Sequence, residues 1–287
     1  MVSIHMTGTI VVHRLKRIVE VWKLLNHQVD VLETMTPLDF LDFRPRFDGA
    51  SGFQSRQFRE IEARLGLRIE QRYNREYYKH THTGGFSETD YNRIMDVERE
   101  PTMLECVNKW LERMPYFAWV FWSTPEYPNQ DFTESNPAYH PFWKQYRDCY
   151  RKSLSPKDNH EKRMQDFDEI LLNKGQGEFT ARALRSALFI MLYRDNPLFR
   201  LPFHLLSTLQ EIDEQMGNFR YRHFQMVRRM IGLRVGTGGT SGATYLEGAV
   251  HQNYIYKELS SIVTYLIERR NMPPLPDRLR RVLTIGI

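Results

Sequence analysis

From Ile10 to Glu33, apolar residues recur every three or four positions (Val11, Leu15, Ile18, Val19, Trp22, Leu25, Val29 and Leu32), a period that predicts an amphipathic helix. Thr36 followed by Pro37 supplies a cap and a first-turn proline, so a short helix over LDFLDF is expected next. RPRFDGASG reads as a loop, with Ser51 a candidate cap for a helix GFQSRQFREIEARLG that Gly66 would end. Residues 73–98 and 115–141 show no clear period. Helical stretches are predicted at 101–114, 139–152 and 157–173, and longer ones at 178–195, 202–232 and 244–270. Alternating runs closed by hairpin turns are nearly lacking, so the expected fold class is all-α. A single helical domain over residues 1–287 is expected, with no internal repeat.

Composition narrows this only a little. A chain of 287 residues with 41% hydrophobic and 26% charged residues can bury a substantial core and has the profile of an ordinary globular protein. Aromatics reach 13%, which suits a bulky apolar pocket or an aromatic-rich helical core. The formal charge of +5 is spread along the chain and belongs to no recognisable nucleic-acid module, so a solvated surface is expected and no nucleic-acid partner. Two cysteines, Cys106 and Cys149, give neither a disulfide framework nor a CxxC knuckle. The first residues lack a signal-peptide pattern, and no apolar run approaches the ~18 to 20 residues of a membrane span. A cytoplasmic protein with no membrane partner is the expectation.

Three places carry candidate chemistry. RVGTGGTSG, residues 234–242, is rich in glycine and hydroxyls, but it follows a helical pattern and has no lysine after its glycines. Both the dinucleotide fingerprint and the phosphate loop fail on that context. What remains is a loop able to hold a carboxylate or a heme propionate through peptide donors, or else a helix connector. On the helix before it, His223 shares a face with Met216, Phe219, Met226, Val227 and Met230. That placement fits a hydrogen-bonded core histidine or one axial bond to heme iron, rather than a zinc site. Arg44 stands where a helix meets a loop, beside Phe40, Phe43 and Phe47. It could grip a carboxylate with two parallel bonds, or pair on the surface with Asp39 or Asp42.

LETMTPLDFLDFR, ASGFQSRQFR, FRYRHFQMVRRMIG and GTGGTSG, in this order, resemble the tryptophan 2,3-dioxygenase family, as do the lesser pieces LLNKGQGEFTARALRSAL and FRLPFHLLSTLQEID. The resemblance runs from about Val11 to the final helices. It implies an all-α, homotetrameric, cytoplasmic enzyme with one heme b per subunit, which uses O2 as co-substrate to open the pyrrole ring of L-tryptophan and give N-formyl-L-kynurenine. Carried over by position, His223 matches the axial ligand of the heme iron, and Ser51 and Gly52 match residues at the heme edge. Arg44 matches the partner of the substrate carboxylate, Thr237 a contact to the amino-acid end, and Phe40 a pocket position where bacterial relatives often carry Tyr. A related heme-dependent aromatic monooxygenase would share these motifs. A basic helical nucleic-acid binder would account for the charge alone.

One family feature has no counterpart. The family's F-I-x-x-H-Q motif, whose histidine lies on the distal side and bonds the indole N–H, is not found in this sequence: His5 sits too near the Val11 helix, and the pair His27 and Gln28 lacks the Phe-Ile ahead of it. No catalytic residue is therefore assigned, and a catalytically impaired heme-binding form is the alternative expectation. A positioned distal group is worth about 10- to 100-fold in rate. Residues 1–287 alone are thus expected to form N-formylkynurenine slowly, and an added upstream segment bearing the motif should raise the rate. Near-ultraviolet absorbance under reducing conditions with excess tryptophan follows the product; equal rates with and without the segment would remove this expectation.

Overall fold

Local chemistry sets the helix boundaries. The computed structural model describes residues 2–47, 55–73, 86–123, 137–173, 177–236 and 242–285. In chain order its helices are α1 (Val2–Leu32), α2 (Pro37–Phe43), α3 (Arg56–Leu65), α4 (Glu88–Glu98), α5 (Met103–Glu112), α6 (Trp119–Trp122), α7 (Pro141–Ser153), α8 (His160–Phe167), α9 (Ala181–Leu192), α10 (Arg200–Ile231), α11 (Gly242–Gln252), α12 (Lys257–Ser261) and α13 (Asp277–Ile285). No strand occurs among the described residues, so the fold is all-α. No helix among them is long and apolar enough to cross a membrane.

Thr36 caps α2 as the sequence predicts. Its hydroxyl accepts from the Asp39 N–H while the Asp39 carboxylate accepts from the Thr36 N–H, a reciprocal pair that satisfies two donors at the helix start. Gly66 ends α3 at φ 130°, where an added Cβ would meet the Leu104 Cβ at 2.6 Å. α3 starts later than expected, at Arg56, with Ser55 rather than Ser51 in the N-cap place. α4 lies in a stretch read as aperiodic; Ser87 caps it through the Asp90 N–H, a Ser-x-x-Asp signal legible in the sequence. The pattern expected over 244–270 is broken after Gln252. The Asp213 carboxylate accepts from the N–H groups of Ile255 and Tyr256, and the Asn253 side chain accepts from the Tyr73 N–H. Those donors are taken out of any helical ladder, so the helix stops.

The chain packs as two compact units. One comprises residues 13–105 and 208–256, the other residues 1–12, 106–207 and 257–287. The second holds a core dominated by rings. Phe142, Trp143, Tyr146, Phe167, Phe179, Phe189 and Phe199 are fully buried, and α9 is buried on nearly every side. Phe142 stacks on Tyr146 with centroids 5.5 Å apart and meets Phe189 edge-on at 5.1 Å. Buried hydroxyls keep partners: Tyr146 donates to the Tyr265 carbonyl at 2.6 Å and Tyr193 to that of Pro273 at 2.7 Å. Much of the aromatic enrichment is thus consumed in packing, not in lining a pocket.

The first unit is built around a buried charge cluster. Glu62 of α3 is fully buried and accepts from Arg59 and from Arg220 of α10, each at 2.8 Å, with Arg72 at 3.5 Å. Arg72 also reaches Glu98 at 2.8 Å, and Arg220 donates to the Asn253 carbonyl at 2.7 Å. Burial pushes the Glu62 carboxyl up, but the three guanidinium groups more than reverse this and hold it down at about 2. Because the folded value lies below the unfolded one, the contribution is fully present above pH 4.5 and is lost as pH falls towards about 2. Glu62→Gln is expected to cost about 3 to 5 kcal/mol, since it leaves buried guanidinium groups uncompensated. Denaturant melts of both proteins at pH 7 and pH 3 test this: the difference should shrink at the lower pH, and an equal difference at both would remove the assignment.

Candidate functional site

α1 and α10 meet along an apolar seam in the first unit. Trp22, buried on α1, packs edge-on against Phe219 of α10 at 5.7 Å and against Phe58 of α3 at 5.9 Å. Phe58 and Phe219 touch at 5.9 Å, and the guanidinium groups of Arg59 and Arg220 lie over the Phe58 ring at 5.5 and 5.8 Å. One turn beyond Phe219 comes His223, its ring stacked on that of Phe219 at 6.3 Å.

His223 is half-buried, and its ring nitrogens have no hydrogen-bond or ionic partner among the described residues. Burial, with the positive charge of Arg59 adding to it, lowers its pKa below the usual histidine value. The ring is therefore neutral at physiological pH and keeps a free lone pair. Of the two readings open from the sequence, a core histidine held by hydrogen bonds finds no support in these contacts. Among the described residues, no group of three or more His, Cys, Asp or Glu side chains could hold a bare metal ion. A single imidazole completes the coordination of a metal already held by a macrocycle, so the donor set fits heme.

Arg44 sits at the C-cap of α2, where the chain passes into a 3-10 turn over Arg44–Phe47. Phe40, Phe43 and Phe47 form an edge-on ring chain beside it, with centroids 5.4 and 5.7 Å apart. The surface pairing open to Arg44 is not formed: Asp39 is engaged at the Thr36 cap, and the Arg44 guanidinium donates instead to the carbonyl of Val235. Val235 is the second residue of the glycine-rich loop, 191 residues away in sequence. Gly232, at φ 59°, lets the chain leave α10 for that meeting. The structure so brings Arg44 to the start of that loop, with Phe40 one turn earlier on α2. No hydrogen bond or ring contact joins either of them to His223. Thr237, Ser51 and Gly52 lie outside the described residues.

Beyond the loop, α11 is clamped from the side. The Tyr73 ring lies so close to Gly248 that an added Cβ would sit 2.2 Å from it, and the Tyr73 N–H bonds Asn253 at the end of the same helix. Sequence reading missed Tyr73 and the Glu62 cluster alike. For Glu62 a signal existed, since Phe58, Glu62 and Leu65 share the inward face of α3, where a charge must find a partner.

The model of the tryptophan 2,3-dioxygenase family matches residues 3–266. The chain is similar to a tryptophan 2,3-dioxygenase of Alteromonas mediterranea, 38% identical over an alignment covering 96% of this chain and 78% of the relative. A tryptophan 2,3-dioxygenase of Dictyostelium discoideum is 39% identical over 93% of this chain and 69% of its own length. One from Bdellovibrio bacteriovorus is 40% identical over 92% and 75%. An all-α fold among the described residues is thus joined to extended sequence identity. The chain belongs to the tryptophan 2,3-dioxygenase family.

Proposed function

We propose that this chain is a heme-dependent dioxygenase that opens the pyrrole ring of L-tryptophan with O2 to give N-formyl-L-kynurenine. The observation that carries the reading is the meeting of Arg44 with the Val235 carbonyl at the edge of the glycine-rich loop, on the same unit as His223, which has no hydrogen-bond partner among the described residues. His223 would hold the iron of one heme b per subunit, with Ser51 and Gly52 at the heme edge on the strength of the family resemblance. The heme, when bound, supplies the oxygen chemistry. This chain's own part is to bind and orient. Arg44 takes the substrate carboxylate with two parallel bonds, Thr237 contacts the amino-acid end, and Phe40 offers an apolar face to the ring. With the zwitterion pinned, the indole has few ways to lie, and orientation does the work of a catalytic dyad.

A homotetramer belongs to the same reading. Ile18, Val21, Leu24, Leu25, Val31 and Leu32 form an exposed apolar stripe on α1, a surface of the kind that assembly covers. Cys106 is an exposed free thiol, which agrees with a reducing cytoplasm.

Two measurements test the assignment. Protein reconstituted with hemin should show a Soret band that His223→Ala largely loses; an unchanged spectrum in the variant would remove His223 as the ligand. Arg44→Ala should weaken L-tryptophan binding roughly 30- to 1,000-fold, the equivalent of about 2 to 4 kcal/mol for a charge-assisted bidentate pair. Tryptamine, which lacks the carboxylate, should bind almost as before. If it weakens as much as tryptophan does, Arg44 is structural only.

A further inference from the structure

Beside the apolar seam, α1 and α10 share a second contact made wholly of polar groups. Lys23 pairs with Glu211 at 3.0 Å, and Asn26 donates to the Gln215 side chain at 3.0 Å. Arg222 then donates to the Asn26 carbonyl at 2.7 Å, to Asp30, and to Glu33 at 2.9 Å. Last, Arg229 donates to the Glu33 carbonyl at 2.9 Å. Residue numbers climb together on both helices, so they run parallel here, and the rungs fix their register.

That register has a consequence at the helix ends. α1 stops at Leu32 and the chain continues through Thr36 and α2 to Arg44; α10 stops at Ile231 and continues through Gly232 to Val235. The two continuations meet at the bond from Arg44 to the Val235 carbonyl. The apolar seam alone is a weak ruler, because packed side chains tolerate sliding to the next turn, about 5.4 Å on. Directional bonds to one guanidinium do not. Arg222 holds three acceptors, two on successive turns of α1 and the third, Glu33, just past its end, and it is the residue directly before His223.

We propose that Arg222 is a positioning residue: by locking the register of α1 against α10, it sets the offset between the helix that carries His223 and the segment that carries Arg44. Its own bonds go to Asn26, Asp30 and Glu33, not to Arg44 or Val235. The proposal rests on the reading of Arg44 as the carboxylate partner. It predicts a loss confined to ligands that use that carboxylate, with the iron ligand left in place.

The experiment uses the heme-loaded protein and follows ligand-induced Soret shifts for L-tryptophan, indole-3-propionate and tryptamine. In Arg222→Ala, the two carboxylate ligands are expected to weaken about tenfold, since a small misplacement of a binding group carries a penalty of that order, while tryptamine changes less than twofold. Heme content should stay at the wild-type level, and Arg222→Lys should recover part of the loss. In an Arg44→Ala background, the effect of Arg222→Ala on tryptophan should vanish, because Arg222 acts only through Arg44. Equal weakening of all three ligands, or an undiminished effect in that background, overturns the proposal and leaves the reading of Arg44 intact. If Arg44→Ala alone fails to separate tryptophan from tryptamine, the reading of Arg44 fails and the proposal falls with it. Should Arg222→Ala lose its heme, Glu33→Gln removes one rung and is judged by the same ligand ratio.

Discussion

The buried carboxylate of Glu62 is the constraint on which the first unit turns. A lone ion in such a place would be expelled or neutralised; this one persists because guanidinium groups from three separate stretches converge on it. Each has further duties. Arg220 holds the Asn253 carbonyl where α11 ends, Arg72 binds Glu98 of α4, and Arg59 lies over Phe58 and contributes to keeping His223 neutral. Without the carboxylate, three cations would share a pocket with too little to balance them. The helices carrying Phe58, Phe219 and His223 would then lose their common anchor.

Much of the fold was legible because helix formation leaves local marks. The 3.6-residue period of Leu15, Val19, Trp22 and Val29 is the buried face of α1, and Thr36-Pro37 is a cap in both sequence and structure. Periodicity failed where tertiary bonds override it. Nothing local says that Asp213 will take the N–H groups of Ile255 and Tyr256 from 42 and 43 residues away, so the break after Gln252 could not be read. α4 was missed for the opposite reason: a cap was present, but polar neighbours hid a helix that buries only Ile94 and Val97.

The site divides in the same way. His223 stood out as a histidine on an apolar face, a pattern carried by one helix. Arg44 was ambiguous in isolation, because its partner is a backbone carbonyl 191 residues distant and carbonyls have no sequence signature. Family resemblance supplied a role for Arg44; the structure supplies one neighbour, the Val235 carbonyl. Arg222 had neither, since its meaning lies in the register of two helices rather than in any motif.

Gly248 and Tyr73 also bear on how this sequence can change with time. A ring pressed onto a helix backbone leaves position 248 no room for even a methyl group, although α11 would otherwise gain from alanine there. The two positions are coupled: alanine at 248 requires the ring at 73 to move away or give way to a smaller residue. While the ring stays where it lies, position 248 is held to glycine, and the helix is denied the stiffening that alanine would bring.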